Sequence, residues 1–141
     1  MDATSFHSKA ALWSAVDAWV ADASAASVIY GHISRWDVSL ITDMDGLFCA
    51  SPHADEQSKW GCAPARSAFD EDISGWDVSR VTTMRFMFAY CARFNSPLNS
   101  WNVSRVTSMG SAFSGAALFD QNLVRIFVSN PATSHISGAL C

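Results

Sequence analysis

"FDEDISGWDVSRVTTMRFMF" (residues 69–88) is followed by "FNSPLNSWNVSRVTSMGSAF" (residues 94–113), nearly the same sentence written again 25 residues later. The step extends outward from both. Phe69, Phe94 and Phe119 keep it, as do Ile73, Leu98 and Leu123, then Trp76, Trp101 and Ile126, then Val78, Val103 and Val128, then Ser79, Ser104 and Ser129. An earlier copy begins near Ile29 and carries Ile33, Trp36, Val38, Ser39, Ile41, Met44, Leu47 and Phe48. Trp36 and Trp76 are 40 residues apart, so an insertion of 15 separates this copy from the next. It falls within "ASPHADEQSKWGCAPARSA" (50–68), whose Ala, Ser and Pro content reads as a loop.

Inside one copy the apolar positions read Ile73-x-x-Trp76-x-Val78-x-x-Val81-x-x-Met84-x-x-Met87-Phe88. The Trp76-x-Val78 step has the period of two of a short strand, and Met84-x-x-Met87-Phe88 the spacing of a helical turn. The opening residues fit an L-x-x-L-x-L core, and a period of 25 lies within the leucine-rich-repeat range. The expected fold is an α/β repeat: a short leucine-rich-repeat-like solenoid of strand–turn–helix rungs. Each rung would bury its apolar residues only against its neighbours, with strands ~4.8 Å apart. Like should stack on like.

"DISGWDVSRVTTMRFMF" resembles the BspA-like leucine-rich repeat family, whose units run F-N-x-D-I-S-x-W-D-V-S-x-V-T-x-M-x-x-M-F. The resemblance covers residues 29–49 and 69–130. It implies a solenoid of short strands and turns, displayed on microbial surfaces as an adhesion or interaction module, with no catalytic residues to carry over. The last unit departs from the pattern. It has Ile126 in place of Trp and Pro131 in place of Val, and it lacks the Met-Phe end.

Three segments follow from this reading: a capping helix in 1–28, repeats in 29–130 with the insertion near 50–68, and an irregular tail over 131–141. Leu12, Val16, Trp19, Val20 and Ala23 recur at helical spacing, which predicts an amphipathic helix over 8–26 laid on the first rung. A membrane-surface helix would want Lys and Arg on its polar face. This one offers Lys9, Asp17 and Asp22. The other end has no comparable cap. Leu123, Ile126 and Phe127 would form an uncovered edge, which is sticky. The expected contact there is another protein, a larger assembly or a second copy.

Composition narrows the function classes. Half of the 141 residues are hydrophobic and 16% are charged, below the roughly 25% usual for soluble domains. The formal charge of −4 and scattered basic residues argue against nucleic acid, which needs clustered Lys and Arg. No apolar run approaches the roughly 20 residues of a membrane span. "MDATSFHSKA" has no apolar h-region, so no secretory signal is expected in this chain. The compartment stays unknown, with a surface or secreted location implied only by the resemblance.

Chemistry-bearing residues are few. Cys49 and Cys62 bracket most of the insertion. A disulfide there would close a short loop and stabilise by roughly 3 kcal/mol in the chain-entropy view; two buried free thiols are the alternative. Cys49, His53, Cys62 and Asp55 or Glu56 could supply four zinc ligands, but their spacing matches no familiar site. Asp37, Asp77 and Asn102 form a column that reads as turn caps beside Ser39, Ser79 and Ser104, or as calcium ligands. Trp60, in polar "EQSKWGC", is either folded back or a recognition anchor. There is no G-x-S-x-G, H-E-x-x-H or phosphate-binding loop, so neither an enzyme nor a cofactor is expected. The expectation is a non-catalytic interaction or scaffolding module that uses Trp60, Leu123, Ile126 and Phe127. The alternative is a surface adhesion module for carbohydrate or matrix.

Overall fold

Ser8 opens the first helix. Its hydroxyl accepts from the Ala11 N–H at 3.1 Å, satisfying a donor that the helix itself cannot. The computed structural model describes residues 4–121. In it α1 (Lys9–Ala21) buries Leu12, Ala15, Val16 and Trp19, which share one face. Asp22 then serves two helices. Its N–H donates to the Ala18 carbonyl at 3.0 Å, and its carboxylate accepts from the Ala25 N–H at 3.1 Å, starting α2 (Ala23–Tyr30). The single helix expected over 8–26 is therefore two, because an extended residue at φ −160° interrupts it. The second helix runs through Ile29, the position near which the sequence pattern starts the first copy.

The strand–turn–helix solenoid does not form, and the leucine-rich-repeat class goes with it. Among the described residues there is no strand. Three isolated parallel bridges occur: Ser5 with Asp37, Asp43 with Thr83, and Thr83 with Ser108. The regular elements are helical: α1, α2, α3 (Ala54–Trp60) and 3₁₀ turns at Ile33–Arg35 and Pro64–Ala68. The insertion, read as a loop, thus contains α3, with Asp55 and Glu56 in its first turn and Lys59 in its last. That arrangement suits the helix dipole.

Backbone bonding explains the correction. The Trp76 N–H bonds the Ile73 carbonyl and the Val81 N–H bonds the Val78 carbonyl, both at 3.0 Å. Trp101 with Leu98 and Val106 with Val103 repeat these closures. Between them Asp77 accepts from the Ser79 N–H and hydroxyl at 3.0 and 2.6 Å. A chain folded back every three residues cannot run as a strand. Nor does the Met84-x-x-Met87 step grow into a helix. Gly46, Phe86 and Ser111 occupy one register and are all left-handed, with φ of 68°, 56° and 56°.

Successive copies nevertheless meet in register. The N–H groups of Met44, Gly46, Phe48 and Ala50 donate to the carbonyls of Thr83, Arg85, Met87 and Ala89 at 2.7–3.0 Å. Met84, Phe86, Phe88 and Tyr90 donate likewise to Ser108, Gly110, Ala112 and Ser114 at 2.7–3.1 Å. The intervening N–H groups close turns instead, as Leu47 does onto Met44 and Cys49 onto Gly46. Inside run two phenylalanine columns. Phe48, Phe88 and Phe113 stand 5.5 Å apart, and Phe69, Phe94 and Phe119 stand 5.9 Å apart. The columns face each other in pairs at 4.2–4.3 Å. Trp76 and Trp101 are buried, and their indole N–H groups donate to the Ile33 and Ile73 carbonyls, so burial leaves no polar atom stranded.

The left-handed register yields a test. Ser111 carries a Cβ where Gly46 has none, and a left-handed L-residue costs ~1–2 kcal/mol. Ser111→Gly removes that cost but adds unfolded-state freedom. A net stabilisation of roughly 0.5–1 kcal/mol is expected in urea titration. Gly46 itself has a second reason to be glycine: a Cβ there would lie 2.1 Å from the Trp60 carbonyl oxygen.

Candidate functional site

α3 is held against the stacked copies at several points. The Cys49 and Cys62 sulfurs are joined in a disulfide, with Cα atoms 4.6 Å apart. The Ala63 N–H bonds the Cys49 carbonyl at 2.9 Å. Arg66 does more. Its side chain is 2% exposed, and its guanidinium donates to Asp17 at 2.8 and 3.0 Å, to the Gly61 carbonyl at 2.7 Å and to the Cys49 carbonyl at 3.3 Å. One buried cation thus ties α1, the insertion and the first copy together. It also lies over the Trp13 ring, 5.2 Å from its centroid.

This fastening places Trp60 beside Trp13 along an open groove of about 390 Å³, lined by Lys9 and Trp13 of α1, Lys59, Trp60 and Gly61 of the insertion, and Asp45 and Arg85 of the stacked copies. Trp60 is half-buried and stacks on Phe86 at 5.0 Å and 20°. The Arg85 guanidinium sits 4.7 Å from the Trp60 ring centroid and the Lys59 ammonium 5.1 Å from it, while Lys9 stands 5.1 Å from the Trp13 centroid. Asp45 is buried and fully engaged. It accepts from the Thr83 hydroxyl, the Arg85 N–H, and Arg85 Nε and Nη2 at 3.1 and 2.8 Å. That bond raises the Arg85 pKa above its ordinary value, so the guanidinium is fixed in place and charged. Lys9 pairs with Asp43 at 3.0 Å.

Of the residues singled out in the sequence, Cys49, Cys62 and Trp60 lie together at this insertion. Leu123, Ile126 and Phe127, like the tail over 131–141, lie outside the described residues. The zinc set is not assembled, because two of its members are sulfurs bonded to each other. His53 instead meets the Tyr90 ring edge-on at 5.6 Å. In the acidic column, serine bonds hold the Asp37 and Asp77 carboxyls below their ordinary pKa, and Asn102 accepts from the Ser104 N–H at 3.1 Å. These are turn caps. Cys91 donates to the Phe48 carbonyl at 2.8 Å, and burial pushes its thiol pKa up to about 12, so it is a core thiol.

Sequence reasoning missed Arg66, Arg85, Lys9 and Lys59 as site residues. Arg66 had a signal. It stands one step before Cys91 and two before Ala116, both turn positions of the core, and the same bond from Phe69 to Arg66 recurs from Phe94 to Cys91 and Phe119 to Ala116.

What these features define is an open, aromatic-lined groove carried on a stack of turn-built copies, without a grouped set of metal ligands among the described residues. The family described as "Mycoplasma protein of unknown function, DUF285" matches residues 18–65 and 64–136, and the chain belongs to it. No curated protein and no solved structure matches the chain. Among the described residues no helix is long and apolar enough to cross a membrane.

Proposed function

We propose that this protein is a non-catalytic protein–protein interaction or scaffolding module, a small part of a larger assembly, and that the insertion groove is its recognition face. The observation that carries this reading is the investment in holding Trp60. A disulfide, a buried arginine and a glycine at closest approach all fix the segment inserted between the first two copies. Half-buried tryptophan flanked by arginine is the chemistry of interface hot spots. The disulfide fits an oxidising compartment, in keeping with surface display. Kinship with BspA-like surface proteins, beyond membership of the matched family, rests on the repeated residue pattern alone. The C-terminal residues Leu123, Ile126 and Phe127 remain a second proposed contact.

The test is site-specific photo-crosslinking in the source cells from Ser58, exposed on α3, with Ser100, exposed on a stacked copy, as control. A discrete partner should appear from Ser58 only. Its purified form should bind the protein at least ~30-fold more weakly after Trp60→Ala. A partner captured equally from Ser100, or unaffected by Trp60→Ala, removes the groove from the reading.

A further inference from the structure

Resting on that reading of the groove, the geometry points to its ligand chemistry: an acidic peptide segment whose carboxylates are read by Lys59, Lys9 and Arg85 around the two indoles. The chain carries −4 overall and has only two lysines, and both line this groove beside Arg85. With Lys9, Lys59 and Arg85 against Asp45 the groove lining is net positive, and a local positive field attracts and orients an anion. Lys59 has no carboxylate within ion-pair distance among the described residues. The Lys9–Asp43 pair is 38% and 43% exposed, and such solvent-screened pairs are weak, so an incoming carboxylate can replace Asp43. Arg85 presents Nε and Nη2 to Asp45, and among the described residues its Nη1 makes no bond, so that edge is held out rigidly. Fixed donors bind a carboxylate with little ordering cost.

The indoles favour a peptide acid over a sugar ring. A sugar stacks on an open aromatic face. Here Phe86 and Arg85 engage the Trp60 ring, and Lys9 and Arg66 lie over the Trp13 ring. These contacts compete with sugar stacking, whereas the ring edge, the positive rim of the quadrupole, suits a carboxylate. The groove volume of about 390 Å³ lies in the range of specific sites, roughly 300–1,000 Å³.

The experiment pans a random peptide library against the immobilised full chain. Lys59→Glu and Lys9→Glu variants are checked for native circular dichroism, and heparin and hyaluronate oligosaccharides are run in parallel. The expected winners are rich in Asp and Glu. Their Kd should rise at least ~10-fold with either variant and rise with added salt. Neutral or basic winners that still depend on Trp60 overturn the acidic inference and leave the groove as a recognition face. Acidic winners indifferent to Lys59→Glu and Lys9→Glu overturn it too. Oligosaccharide binding with no peptide enriched replaces it with a glycan site. If nothing binds in a way that depends on Trp60 or Lys59, both this inference and the groove reading fail.

Discussion

Arg66→Ala will cost the fold about 3 kcal/mol, and the loss will be felt first in the insertion. The change deletes a long side chain that is 2% exposed, and the space cannot close fully because the surrounding backbone is pinned by the disulfide. It also removes the 2.7 Å bond to the Gly61 carbonyl and the 3.3 Å bond to the Cys49 carbonyl. Cys49 keeps the Ala63 N–H as a donor, so Gly61 bears more of the loss. Asp17, 52% exposed, returns to water at little cost. This asymmetry makes the prediction sharper. Arg66→Met keeps most of the volume and avoids the cavity, while it still gives up the bond to the Gly61 carbonyl, so it should cost about half as much. Asp17→Ala leaves a buried guanidinium without its anion and should cost more than Arg66→Met. Urea titration gives the order, and limited proteolysis should show cleavage within 54–68 rising in parallel. Equal costs for Arg66→Met and Asp17→Ala would mean that the charge plays no part in fastening the insertion.

The spacing of 25 was legible in the letters, and it reappears as touching pairs: Phe69 with Phe94, Phe94 with Phe119, and the Asn95 N–H with the Asp70 carboxylate. The class inferred from it was wrong for a physical reason. A period of two in Trp76-x-Val78 reports which side chains face inward. It does not report whether the backbone between them is extended, and here it is closed by turns at Trp76 and Val81. The left-handed register was readable only at Gly46, since nothing about phenylalanine or serine as residue types announces φ of 56° at Phe86 and Ser111. The end of α1 was hidden for a similar reason. Asp22 reads as one more polar-face residue until its carboxylate is seen capping the next helix. The candidate groove was the least legible part. Lys9, Asp45, Lys59 and Arg85 are scattered over 77 positions and converge only once the insertion has folded back onto α1. Trp60 stood out because it broke the repeat. Its neighbours broke no pattern and so gave no sign.

Phe88→Ala is expected to be the costliest single apolar truncation, about 3–5 kcal/mol. Phe88 is 1% exposed and belongs to three copies at once: it stacks on Phe48 and Phe113 at 5.5 Å along its column and on Phe94 at 4.2 Å across it. Each aromatic pair adds roughly 0.5–1.5 kcal/mol beyond the area it buries. Phe88→Leu retains most of the volume and gives up the ring pairs, so it separates the two contributions; a cost nearer 1–2 kcal/mol is expected. The consequence reaches beyond the size of the loss. Stacked copies are coupled through nearest neighbours, and Phe88, like Phe69, makes ring contacts on both sides of the middle copy. Removing it should weaken coupling as well as stability. Fluorescence, dominated by the six tryptophans, and circular dichroism, dominated by α1 and α2, should then cease to coincide in urea. If the two curves still coincide and the midpoint moves by less than about 1 kcal/mol equivalent, the phenylalanine columns are filling rather than the joint between copies. The hydrogen bonds from Met84, Phe86, Phe88 and Tyr90 would then be what holds the copies together.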